Sequence, residues 1–156
     1  MLIDTPEKLT PAVLTEVLRA DGALKSGVVT AIERDASAPG HGLVSNIARL
    51  RLTYSAEAPN SLPNRLFLKT SRPGMHPEIA AYEKHEVDFY QLAAQQHGAL
   101  PAPHCYKAGF DDETSNAYVL LDDLSETHVQ RPLPLPPSNR GCELIVETLA
   151  DLHAYF

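Results

Sequence analysis

The clearest candidate for a functional residue in this sequence is Glu86, a carboxylate within a predicted helix. It lies at helical spacing from the apolar residues of that segment, which are Ile79, Tyr82, Phe89, Tyr90 and Ala93. Because an ionised carboxylate is costly to bury without a partner, we expect a cation to meet it, and Lys69 at the end of the preceding predicted strand is the candidate. The alternative is a helix that exposes Glu86 to solvent, with Lys69 as an ordinary surface residue.

A lysine on a strand that pairs with a glutamate on the next helix holds the α- and β-phosphates of ATP in nucleotide-binding sites. The upstream loop 39–46 would then lie over the triphosphate, because Gly40 and Gly42 let backbone N–H groups approach phosphate oxygens. Ser45 stands at the third glycine position of the G-x-G-x-x-G pattern. A plain hairpin turn with two glycines fits the same residues.

A second candidate segment runs from an apolar strand into two carboxylates, at residues 118–125. Asp122, Asp123 and Leu124 would form a hinge whose backbone hydrogen-bonds the edge of an adenine ring. Such a hinge depends on extended backbone and an apolar wall more than on its side chains. An ordinary strand followed by an acidic loop is the alternative.

Hydrophobic periodicity and turn residues predict the elements that position these groups. Thr10 and Pro11 are typical of a helix start, and Gly22 of its end, so a lead-in helix is expected over 10–21. Alternating apolar residues over 46–54 indicate a half-buried strand. The remaining predicted elements are strands at 27–34, 65–70, 104–110 and 117–121 and a long helix at 77–96. This order predicts an α+β fold, with a five-stranded antiparallel sheet and a packed helix.

The C-terminal part has a different character. The proline run 131–137 predicts an extended spacer, although its PxxP spacing also fits a peptide ligand of another domain. Ser138 is a predicted N-cap of a last helix, whose apolar stripe consists of Ile145, Leu149, Leu152 and Phe156. We therefore expect a nucleotide-binding lobe over 1–124, a linker over 125–137, and over 138–156 the first helix of a further lobe.

Composition excludes several classes of protein. The net charge of -7 disfavours nucleic acid and anionic membrane surfaces as partners. The two cysteines have no partner at metal-ligand spacing, and the seven histidines form no ligand constellation, so no metal site is predicted in this sequence. No signal peptide or membrane span is evident, and we expect a cytoplasmic protein.

Four short motifs resemble those of the aminoglycoside phosphotransferase and choline-kinase-like family, and most closely its ecdysteroid-kinase-like members. They are L-F-L-K-T at 66–70, E-x-x-F-Y at 86–90, L-L-D-D-L-S at 120–125 and L-A-x-L-H-A at 149–154. The resemblance implies a protein-kinase-like N-terminal lobe with Lys69 as the phosphate-binding lysine, Glu86 as its ion-pair partner and 122–124 as the adenine-binding hinge. It also implies ATP and Mg²⁺ as cofactors.

The sequence departs from that family at the catalytic loop. In the family, the helix with the last motif is followed by His-Gly-Asp, a downstream Asn and a metal-binding Asp, and none of these follows in the 156 residues. We therefore expect the Mg²⁺ ligands in a lobe outside this sequence, and a kinase of small hydroxylated molecules that is inactive as this chain alone. The alternative is a non-catalytic nucleotide- or protein-binding module that self-associates through its C-terminal helix.

Overall fold

A computed structural model describes residues 3, 5–35, 45–72, 74, 76–94, 101–128 and 136–155 of the chain. After a single 3₁₀ turn at Pro6–Lys8, three helices and five strands follow. The helices are α1 (Pro11–Asp21), α2 (Pro77–Ala94) and α3 (Asn139–Tyr155). The strands are β1 (Val29–Arg34), β2 (Ser45–Tyr54), β3 (Arg65–Ser71), β4 (Cys105–Asp111) and β5 (Asn116–Asp122). The predicted order of helices and strands is confirmed.

All five strands pair antiparallel in one sheet, in the order β1-β2-β3-β5-β4. β5 therefore lies between β3 and β4, and its residues 117–121 are buried. In the register of the sheet, Lys69 stands between Ile47 of β2 and Val119 of β5. The α+β class and the five-stranded antiparallel sheet expected from the sequence are confirmed.

One face of the sheet packs against α1. The Thr10 hydroxyl caps this helix by accepting a hydrogen bond of 3.3 Å from the N–H of Val13, and Gly22 ends it with φ 91°. The even positions of β2 face this core, as predicted. The large side chains of this core that are fully buried are Ile3, Leu14, Leu18, Leu66, Leu68 and Leu120.

The other face packs against α2, whose predicted apolar stripe is partly confirmed, since Tyr90 packs against the core of this face and Ile79, Phe89 and Ala93 are half-buried. Tyr82, expected on the buried side, is 75 % exposed, while Ala80, Glu83 and Val87 are buried. The small side chains of Ala80 and Val87 let the helix approach the sheet closely, and the larger Tyr82 projects away from it. Glu86 consequently lies at the border of the buried side, where it is 31 % exposed.

Helix α3 begins as predicted, since the Ser138 hydroxyl accepts a hydrogen bond of 3.2 Å from the N–H of Gly141. Ile145 and Leu149 of its predicted stripe are exposed, and Leu152 is half-buried. Phe156, the last member of the stripe, lies outside the described residues, as does the proline run up to residue 135. In the described ranges, no helix is both long and apolar enough to cross a membrane.

Candidate functional site

The Nζ atom of Lys69 forms an ion pair and a hydrogen bond with Oε2 of Glu86. Lys69 lies on the side of β3 that faces α2, and β2 and β5 flank it in the sheet. The two side chains are 25 % and 31 % exposed, so the pair is accessible to a ligand. An ammonium group has three N–H donors, and those not used by Glu86 can meet an anion. The ion pair predicted from the sequence is confirmed.

Next to this pair lies a buried carboxylate that the sequence analysis missed. Glu83 is 4 % exposed, and it accepts hydrogen bonds from the hydroxyl groups of Ser45, at 2.8 Å, and Ser71. The Ser71 hydroxyl also accepts a hydrogen bond of 2.7 Å from the N–H of Ala117. The hydroxyl of Ser45, a predicted phosphate-loop residue, therefore points towards the helix. The sequence spacing could have predicted this contact. Ser71 lies two residues after Lys69 on the same side of the strand, and Glu83 lies one helical turn before Glu86.

A cleft of about 530 Å³ opens on the α2 side, at the start of β3 and the end of β5. Phe67, Leu121 and Tyr90 provide its apolar walls, and the predicted hinge residues Asp122, Asp123 and Leu124 line one edge. This volume lies within the range of small-molecule sites, and the apolar walls with one polar edge are typical of them.

The hinge carboxylates are engaged within the protein. Asp122 accepts a hydrogen bond of 2.6 Å from the hydroxyl of Tyr106, and Asp123 accepts one of 2.9 Å from the N–H of Ser125. By contrast, no hydrogen bond between described residues uses the backbone N–H or C=O of Asp123 or the N–H of Leu124. A ligand edge with its own donor and acceptor would satisfy these backbone groups.

One cation, Arg49 of β2, also lines the cleft. Its Nε atom is buried and has no hydrogen-bond partner among the residues that the structure describes. The carboxylate of Asp123, which is 4 % exposed, lies 3.9 Å from this atom, beyond hydrogen-bond distance. Arg49 was not predicted as a site residue, and it brings a positive charge to the edge of the cleft that Asp123 also lines.

Tyr90, in the apolar wall of the cleft, is uncharged near neutral pH. Burial, with a smaller contribution from the negative charge of Glu86, raises the pKa of the Tyr90 phenol to about 12. Burial also raises the pKa of the Cys105 thiol, on the α2 side of the sheet, to about 11. Tyr90 therefore presents a neutral ring to a ligand.

The cleft and the ion pair lie on the same side of β3. Phe67 and Lys69 are two residues apart on the same side of β3, a distance of about 7 Å along an extended strand. A ligand with a flat apolar part against Phe67 can thus place an anionic part at Lys69. Gly40 and Gly42 lie outside the described residues. Over the described ranges, no group of three or more His, Cys, Asp or Glu residues is arranged to hold a metal ion.

The sequence matches no model of a known protein family, and its comparison with curated proteins finds no significant relative.

Proposed function

We propose that this chain is the ATP-binding lobe of a phosphotransferase that moves the γ-phosphate to a hydroxyl group of a small molecule. The observation that carries the proposal is the ion pair of Lys69 and Glu86, half-exposed and two residues along β3 from an apolar cleft. The proposal places the catalytic base and the Mg²⁺ ligands outside these 156 residues. The resemblance of the motifs around Lys69, Glu86 and the hinge supports the same assignment.

Each part of the nucleotide has a counterpart in the site. The adenine ring lies between the apolar walls, and its edge hydrogen-bonds the backbone groups of Asp123 and Leu124 that no described residue uses. Glu86 orients the Lys69 ammonium group, whose remaining N–H groups bind the α- and β-phosphates. ATP supplies the phosphoryl group, and the described residues bind and orient it.

Replacing Lys69 by alanine is expected to weaken ATP binding roughly tenfold, because charge-assisted hydrogen bonds to phosphate are lost. Binding of adenosine, which has no phosphate, should change less than twofold. The measurement is a titration followed by amide chemical shifts, which detects dissociation constants on the order of 1 mM, the weak range expected for one lobe. In the unaltered chain, the amides of Asp123 and Leu124 should shift with both ligands.

The matched control for this substitution is Lys84→Ala. Lys84 lies on α2 and pairs with Asp112 at 2.8 Å, so the change removes the same charge and also breaks an ion pair, but away from the cleft. ATP affinity should be unchanged in this variant. Equal loss in both variants, or no shift at the hinge amides, would contradict the proposal.

A second candidate function is self-association through α3, which would make the chain a binding module. The observation that favours it is the exposure of four apolar residues on this helix, at 46 % to 64 %. These residues are Leu144, Ile145, Val146 and Leu149. A second copy of the same helix face would cover them in a symmetric dimer.

Replacing Ile145 and Leu149 together by glutamate is expected to convert such a dimer to monomers, because charges would face each other across the contact. Sedimentation velocity over a range of concentrations measures the change. Ala154→Glu, on the opposite side of α3, introduces the same side chain and should leave association intact. An unaltered chain that stays monomeric at all concentrations would exclude this candidate.

A further inference from the structure

The buried Glu83 joins four elements at a single point. Its carboxylate on α2 binds the first residue of β2, Ser45, and the last residue of β3, Ser71. Ser45 and Ser71 are directly opposed in the sheet register. Through Ser71 the contact extends to the N–H of Ala117 near the start of β5. The end of the sheet and the helix are thus held by one side chain.

This contact joins the same strand and helix as the ion pair of the proposed phosphate site. Ser71 and Lys69 lie two residues apart on the same side of β3, and their partners Glu83 and Glu86 lie one turn apart on α2. The cavity between the two contacts measures only about 10 Å³, too small to be an evident site for a water molecule. The two contacts are therefore close neighbours that join the same strand to the same helix.

The chemistry of Glu83 fits a role in geometry better than one in stability. No ion pair between described residues includes Glu83, so its carboxylate has hydroxyl groups as partners and no countercharge. Burying a carboxylate in this way is costly, and a well-packed apolar residue would stabilise the same interface at least as well. What a leucine could not supply is a fixed distance and direction between the helix and two hydroxyl groups.

We infer that Glu83 is a positioning residue of the phosphate site. It fixes the start of β2 and the end of β3 against α2, and so holds Glu86 where it orients Lys69. The inference rests on the proposed function for its link to nucleotide binding, and on the contacts of Ser45 and Ser71 for the coupling itself. Ser45 is also the described first residue of β2 within the predicted phosphate loop 39–46, so the same contact fixes this residue relative to the helix.

The test compares Glu83→Ala with Glu83→Gln, and uses Glu78→Ala as the matched control. A glutamine can accept from one serine hydroxyl and donate to the other, so it preserves the connection. Glu78 lies on the same helix with its side chain 86 % exposed, so its removal takes away a carboxylate without touching the sheet. Circular dichroism establishes that each variant is folded at the temperature used.

Amide hydrogen exchange is the first measurement. Glu83→Ala is expected to raise exchange about tenfold or more at residues 45–48 and 84–90 together, with little change in α1 on the opposite face. Glu83→Gln should stay within about threefold of the unaltered chain, and Glu78→Ala should match it. Exchange that rises in α2 alone, or equally throughout the chain, would overturn the inference.

ATP affinity is the second measurement, because a purely structural role would leave it unchanged in the folded variant. Glu83→Ala should weaken ATP binding roughly tenfold and adenosine binding less than twofold, with recovery in Glu83→Gln. Unchanged ATP affinity in folded Glu83→Ala would overturn the role in the phosphate site. If the unaltered chain binds no ATP, the proposed function fails, and hydrogen exchange alone then supports or overturns the coupling.

Discussion

Replacing Leu120 by alanine is expected to lower the free energy of unfolding by about 3 kcal/mol, within the usual range for buried leucines. Leu120 is fully buried in β5, an interior strand of the sheet, where it stands opposite Leu68 of β3 and faces the α1 core. The substitution removes apolar surface and leaves a cavity that neighbouring strands cannot fill, because their hydrogen bonds fix their positions. Urea unfolding followed by circular dichroism measures the change.

The matched control is Leu144→Ala, the same substitution at a residue of α3 that is 48 % exposed. It should change the free energy of unfolding by no more than about 0.5 kcal/mol, since it opens no cavity. Similar losses for the two variants would show that the sheet face towards α1 is not the main core. A loss below about 1 kcal/mol at Leu120 would have the same meaning.

Replacing Gly27 by alanine is expected to be about as destabilising, by about 3 kcal/mol. Gly27 has φ 75°, and a Cβ atom there would lie 2.7 Å from the backbone N of Ala58 and 2.8 Å from Oγ of Ser55. Neither neighbour can move freely, because Ala58 donates to the carbonyl of Ser55 and the Ser55 hydroxyl accepts from the N–H of Val28. Thermal and urea unfolding would both report the loss.

Gly22→Ala separates the backbone strain of a positive φ from the steric overlap of an added Cβ atom. Gly22 also has a positive φ, 91°, but an added Cβ would meet no atom within 4 Å. Only backbone strain remains there, which corresponds to about 1 kcal/mol. Equal losses of unfolding free energy at the two glycines would contradict the expected overlap of an added Cβ at Gly27 with Ala58.

Most of the fold was predictable from local patterns. The cap at Thr10, the stop at Gly22 and the alternation along β2 each reflect a short-range rule, and the structure follows all three. The insertion of β5 between β3 and β4 had no such local signal. Strand order depends on which edges meet once the chain is compact, and that information is spread over many distant residues.

The candidate site was predictable where charge decided the outcome and not where packing did. The pairing of Lys69 with Glu86 followed from the cost of burying an unpartnered carboxylate, and the ion pair is present. The predicted buried side of α2 was wrong at Tyr82, which its hydrophobicity placed inside. The buried side instead includes Glu83, whose serine partners lie 12 and 38 residues away in the sequence.

At the hinge, too, some residues of the cleft were predictable from the sequence and one was not. Residues 122–124 were located from an apolar strand that runs into acidic residues, and they do line the cleft. Arg49 reaches the same cleft from β2, more than 70 positions earlier, and no spacing rule connects it to Asp123. Arg49 could have been predicted as a cleft residue only with knowledge of which side of β2 faces α2.

The place of β5 in the sheet sets the order in which a growing polypeptide can complete this protein. Among the strands in the described ranges, β4 pairs with β5 alone, so during synthesis it has no such partner until residues 116–122 have left the ribosome. Residues 116–122 include Leu121 and Asp122, so this part of the cleft lining forms only when β5 is in place. A chain that ends before residue 116 contains β1, β2 and β3 but lacks the Leu121 and Asp122 lining of the cleft.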